Sequence, residues 1–93
     1  MSFDLDLGNC RALVTGGTKG VGRAVVEAFT SHGVRVLTTA RHELDDLPAG
    51  VNFIAADISL SEGGERVAEA ALRLLGGVDI LVHVAGGSSA PAG

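Results

Sequence analysis

The sequence predicts an α/β chain whose parallel sheet is wound on both faces by helices, with strand order 3-2-1-4. Three observations predict it. Short, nearly continuous apolar runs recur at 11–15, 34–39, 51–56 and 79–84, the pattern of strands buried on both faces. Two longer stretches between them carry apolar residues at three- and four-residue steps. Glycine marks most of the junctions, and its 14 occurrences in 93 residues follow no fixed period, which excludes a collagen-like repeat.

The elements follow in order. Arg11-Ala12-Leu13-Val14-Thr15 is the first strand, closed by Gly16-Gly17. From Val21 the periodicity is helical, with Val21, Ala24, Val25, Ala28 and Phe29 as its inward face. Gly33 stands where a helix end favours a left-handed residue. Val34 to Thr39 is β-branched and forms the second strand. Residues 41–47 allow one or two helical turns before Pro48-Ala49-Gly50 breaks them. Val51 to Ala56 is the third strand. Ser59 to Ser61 offer caps for a helix beginning at Ser61 or Glu62, with Gly63-Gly64 weakening its first turn. Its inward face is Val67, Ala70, Ala71, Leu74 and Leu75. Glu62–Arg66 and Glu69–Arg73 are spaced to pair on its outer face, and Gly76-Gly77 ends it. Asp79 to Val84 is the fourth strand, with Asp79 bonding at its base. Right-handed crossovers give the order 3-2-1-4, and the ligand crevice is expected where that order reverses, outside the carboxyl ends of strands one and four.

Composition narrows the function. With 46% hydrophobic and 19% charged residues, the chain has material for a core and is not intrinsically disordered. A net charge of −4, three Phe and no Trp or Tyr argue against a nucleic-acid binder, which needs basic charge and stacking rings. The single cysteine, Cys10, forms no internal disulfide, and no Cys/His spacing fits zinc. The acidic start, Met1 to Asp6, is unlike a signal peptide, and no run is long enough to cross a membrane. A cytoplasmic location is expected. The length suits one domain, 1–93, with a loop-like tail over 86–93. A chain ending there reads as truncated after the fourth strand, a partial domain.

The segment carrying chemistry is Thr15-Gly16-Gly17-Thr18-Lys19-Gly20-Val21-Gly22, between the first strand and the first helix. Gly16 permits a tight exit from the strand. Gly20 and Gly22 let a pyrophosphate approach the backbone and let the helix pack closely on the sheet. The helix N-terminus then favours that anion. In this strand–turn–helix setting the pattern reads as a Rossmann-type dinucleotide site.

The spacing T-G-x-x-x-G-x-G resembles the cofactor loop of the short-chain dehydrogenase/reductase family, and three further positions agree. Asp57-Ile58 is similar to the family's acidic residue and neighbour that contact the adenine. Val78 to Val82 is similar to the approach to its fourth-strand motif, and Ala85-Gly86 to the end of that motif, usually N-N-A-G. His83 and Val84 depart from the two asparagines. His83 reads as a satisfied structural histidine, whereas Val84 cannot replace an amide. The resemblance implies cofactor contacts from Gly16, Thr18, Lys19, Gly20, Val21, Gly22, Arg41, Asp57, Ile58, Ala85 and Gly86.

Cofactor preference is read from the end of the second strand, where NAD-specific folds place an acid for the ribose 2′-hydroxyl. Here that position is Ala40, followed by Arg41, whose planar fork suits a 2′-phosphate. Lys19 adds a second cation in the glycine loop. NADP(H) is therefore expected over NAD(H). The resemblance also implies hydride transfer between the nicotinamide and a carbonyl or alcohol carbon, using a serine and a Tyr-x-x-x-Lys pair. The sequence contains no tyrosine, and its one lysine is Lys19. Ser88 and Ser89 follow the fourth strand, whereas the family's serine follows the fifth. No catalytic residue and no metal ligand is assigned. Two readings remain: the NADP(H)-binding half of such an oxidoreductase, or a non-catalytic NADP(H)-binding module. A methyltransferase, which wants an acid after the second strand, is disfavoured by Ala40-Arg41. An exposed apolar edge on the fourth strand points to a homo-oligomer.

Overall fold

The computed structural model describes residues 10–16, 20–41 and 47–84. Six elements follow in order: β1 (Arg11–Thr15), α1 (Gly20–Ser31), β2 (Arg35–Ala40), β3 (Asn52–Ala55), α2 (Ser61–Leu75) and β4 (Ile80–His83). The strands form one parallel sheet in the order β3-β2-β1-β4, which is the Rossmann-type winding. Residues 42–46, most of the expected short helical segment, lie outside the described residues, as does the tail from 85 onward.

Alternation along the strands supplies both faces. Ala12, Val14 and Val36 pack with Val26 of α1 and half-buried Val25 and Phe29. Leu37 turns the other way and packs with Ala70, Ala71 and Leu75 of α2, beside half-buried Leu13 and Ile54. The chain moves one way along the sheet from β1 to β2 and the opposite way from β3 to β4. Right-handed crossovers therefore put α1 and α2 on opposite faces. Burying Leu37 contributes about 1.5–3 kcal/mol.

Several details differ from the sequence expectation. The buried face of α1 is Gly22 and Val26, while Val21, Ala24 and Ala28 are exposed. Apolarity alone did not fix that face, because one of its two buried positions is a glycine with no side chain. Leu74 is also partly exposed, so Leu75 closes the inward face of α2. Val34 belongs to the turn and not to β2, since its N–H donates to Phe29 O at 3.0 Å. No serine caps α2: Leu60 is the N-cap residue and makes no side-chain cap bond. The expected Glu62–Arg66 and Glu69–Arg73 pairs are not formed. The ion pairs among the described residues are Arg11–Asp79 and Arg23–Glu27, both at 2.9 Å.

At the amino-terminal edge of the sheet, arginines hold α2. Gly76 takes the left-handed conformation (φ 82°) and returns its N–H to Ala71 O and Leu72 O. Arg35 Nη2 donates to Leu75 O at 2.6 Å, and Arg11 Nη1 to Gly76 O at 3.0 Å, so cationic groups meet the negative end of the helix dipole. Arg11 also donates through Nε and Nη2 to the two oxygens of Asp79, at 2.9 and 3.0 Å. Asp79 thus anchors the base of β4, as its position led one to expect.

Candidate functional site

The strand order reverses between β1 and β4, and the residues at the carboxyl ends of the strands surround that point. In open α/β sheets this crevice is where ligands bind. Gly16, directly after β1, has φ +77°, and its N–H extends the β1–β2 ladder to Thr39 O at 3.1 Å. A Cβ there would lie 3.2 Å from Val84 O. The conformation favours glycine, and a Cβ would crowd the Val84 carbonyl as well. Gly20 opens α1 with φ +60°, and among the described residues nothing lies within 4 Å of where its Cβ would be, so no described side chain closes the helix start. Gly22 is buried one residue beyond Val21, which is exposed. The first turn of α1 holds no acidic residue to oppose an anion. A dinucleotide's pyrophosphate fits this set: an open helix start, no competing carboxylate and a glycine turn leading to it. Thr18 and Lys19, which complete the loop, lie outside the described residues, as do Ala85 and Gly86.

The β2 and β3 ends supply the other wall. Ala56 N–H donates to Ala40 O at 2.8 Å, carrying the pairing past β3 and placing Asp57 beside the end of β2. Arg41 is exposed. The Asp57 carboxylate accepts from Ser59 Oγ at 2.6 Å and Ser59 N–H at 3.0 Å, both on Oδ1. These bonds, with a smaller pull from the Arg41 charge, hold its carboxyl below the usual range. Asp57 is therefore ionised near neutral pH, an acceptor for an amine. Ile58 beside it is 38% exposed, an apolar surface at the rim.

At the β4 end, Thr15 and His83 are register partners, and Thr15 Oγ1 lies 2.7 Å from His83 Nδ1. The histidine is satisfied by a side-chain hydroxyl, in keeping with its reading as a structural residue. Val84 keeps its part through the main chain: its N–H donates to Thr15 O at 3.1 Å, and its carbonyl sits against Gly16. Sequence reasoning missed two residues here. Ser59, read as a helix cap, bonds Asp57. Gly63, read as a weak spot in α2, sits beneath Asp57. Its signal was a glycine six residues after the aspartate.

Comparison with known proteins agrees with this geometry. A family profile described as short chain dehydrogenase matches residues 11–92. A short chain dehydrogenase of Pseudocercospora fijiensis is 43% identical over 84 residues, covering 81% of this chain and 27% of that protein. L-xylulose reductase of Bos taurus is 39% identical over 87 residues, covering 87% of this chain and 34% of that protein. Among solved structures, an NADH-dependent reductase complexed with NAD superposes with a TM-score of 0.79 at 29% identity, over 88% of this chain and 38% of that one. Ligand-free aldohexose dehydrogenase of Thermoplasma acidophilum gives 0.79 at 27% identity, over 90% of this chain and 32% of that one. The chain thus spans about a third of the length of these relatives.

Proposed function

The chain belongs to the short-chain dehydrogenase family, and from that premise we propose that it forms the NADP(H)-binding half of a cytoplasmic oxidoreductase acting on a carbonyl or alcohol substrate. The observation that carries the proposal is the turn out of β1: Gly16 at positive φ, leading to an open α1 N-terminus at the reversal of strand order. When bound, the nicotinamide would supply or accept the hydride. The residues of this chain bind and orient. The turn from Gly16 through Thr18, Lys19, Gly20, Val21 and Gly22 takes the pyrophosphate, and Asp57 with Ile58 takes the adenine. Ala85 and Gly86, by their likeness to the end of the family's fourth-strand motif, complete the cofactor site. Arg41 and Lys19 take the 2′-phosphate, with Ala40 presenting no opposing carboxylate.

The test of cofactor preference is Arg41→Asp with separate titrations of NADPH and NADH. Losing a charge-assisted contact costs about 1.5–3 kcal/mol, so NADPH affinity should fall at least about tenfold while NADH affinity holds or rises. An unchanged ratio would refute the 2′-phosphate assignment. The NADH-dependent structural relative makes NAD(H) the outcome to exclude. A second reading is a dinucleotide-binding module whose chemistry lies elsewhere. NADPH binding without NADPH-dependent carbonyl reduction, in the protein isolated from its source, would favour that reading.

A further inference from the structure

A titratable side chain stands at the crevice with one ring nitrogen engaged and the other turned outward. His83 ends β4 at the carboxyl edge of the sheet and is exposed. Its Nδ1 lies 2.7 Å from Oγ1 of Thr15, a residue only 6% exposed, so the ring is anchored on its inner side. Among the described residues no hydrogen bond reaches Nε2, on the far side of the ring. Thr15 is joined directly to Gly16, which opens the glycine turn, and a Cβ at Gly16 would lie 3.2 Å from Val84 O. The histidine therefore sits where β4 meets that turn.

The anchor suits both protonation states. A hydroxyl donates to a bare ring nitrogen and accepts from a protonated one, so gaining a proton leaves the Thr15–His83 bond in place. A backbone carbonyl there would only accept and an amide N–H only donate, and either would favour one form. Among the described residues no carboxylate pairs with the ring. Arg11 and Asp79 pair with each other at the opposite end of β1 and β4, and Arg23 pairs with Glu27 along α1. Arg41 follows β2 and Asp57 follows β3, two and three strands from β4, roughly 10 and 14 Å at the usual strand spacing. The first turn of α1 holds no acid. Glu62, Glu65 and the other charges of α2 ride on a helix packed against β2 and β3. Lys19, outside the described residues, keeps its charge over the whole range in which histidines titrate.

We infer that His83 is a proton-gated contact for the anionic bridge of the cofactor. Protonated, it sets a positive N–H donor on the β4 side of the glycine turn; neutral, it offers no charge. Dinucleotide affinity then rises as the pH falls through the range in which histidines gain a proton, from about 8 to about 5. By linkage, the bound anion favours the protonated ring to the same degree. The inference rests on the dinucleotide reading above. It adds a titratable contact where the family usually carries an asparagine, which has no proton to gain.

The experiment titrates NADP into the whole chain and into His83→Asn by calorimetry, at several values between about pH 5.5 and about pH 8. The 2′-phosphate of NADP changes its own charge in that range, so the readout is the ratio of wild-type to variant affinity, in which that effect cancels. The ratio should rise about tenfold from the alkaline to the acid end, the worth of a hydrogen bond to a charged group. Wild type should also take up more protons on binding than the variant, measured near pH 6.5 in two buffers of different ionisation heat. A histidine that only ties β4 to β1 would alter the melting temperature with pH but leave the affinity ratio flat and the proton uptake equal. That result overturns the inference. Should His83→Asn yield no folded protein, the wild-type ring decides, followed by NMR and assigned through its contact with Thr15. Saturating NADP should move its titration midpoint upward, and an unmoved midpoint rejects the contact. A chain that binds no NADP at any pH removes the nucleotide reading itself, and this inference with it.

Discussion

Asp79 shows how much one side chain can organise far from the crevice. It accepts from Arg11 Nε, Nη2 and the Arg11 N–H, and these bonds draw its carboxyl from 3.8 down to about 2. Because the folded value lies below the unfolded one, the stabilisation is complete above about pH 4 and is lost as the pH falls towards 2. Wild-type melting temperature should therefore drop across that window more steeply than that of Asp79→Asn, which should already melt lower at neutral pH. Equal acid slopes in thermal melts monitored by circular dichroism would contradict this. Both partners are partly exposed, so solvent screens the pair and added salt should narrow the difference. The sequence placed Asp79 at the base of β4, but nothing in it named Arg11, 68 positions away.

Elements here are joined by turns whose conformation is the site. The β1–α1 turn begins at Gly16, where φ is +77° and a Cβ would press on the Val84 carbonyl at 3.2 Å. Gly16→Ala should cost about 1–3 kcal/mol in denaturant melts and weaken NADPH binding, since it displaces both the turn and the β4 end resting on it. A variant with unchanged stability and affinity would mean that the turn relaxes without involving the cofactor site. This turn was legible in sequence because a run of glycines between an apolar strand and an amphipathic helix has few physical readings. The faces of the helices were less legible. Val21 and Leu74 carry apolar side chains on partly or fully exposed positions, and periodicity cannot tell a buried valine from one at the rim of a crevice.

Taken whole, the sheet has two well-covered inner strands and an edge that is not. Leu81 of β4 is 64% exposed, and among the described residues β4 pairs with β1 alone, leaving a parallel edge that invites another strand. The 93-residue chain should self-associate, and Leu81→Lys should lower its weight-average mass in sedimentation velocity by placing charge on that edge. A wild type that sediments as a monomer at all concentrations would remove the argument. Among the described residues no helix is long and apolar enough to cross a membrane.

What the sequence determined by itself is the set of properties written locally. Period-two and period-3.6 apolarity give the strands and helices, handedness gives their order, and glycine at 16, 20 and 22 marks the turn at the reversal of that order, where we propose the pyrophosphate binds. Arg41 after an uncharged Ala40 was equally plain, and the proposed preference for a 2′-phosphate rests on that pair because such a preference depends on which residue type ends a strand. Tertiary structure alone decided whatever depends on distance between remote segments. His83 is satisfied by the Thr15 hydroxyl because parallel pairing puts the two in register. The two glycines at 63 and 64 are indistinguishable as letters. Only the packing of α2 against the Asp57 backbone makes one of them a site where a single methyl group has no room, and leaves the other facing open space.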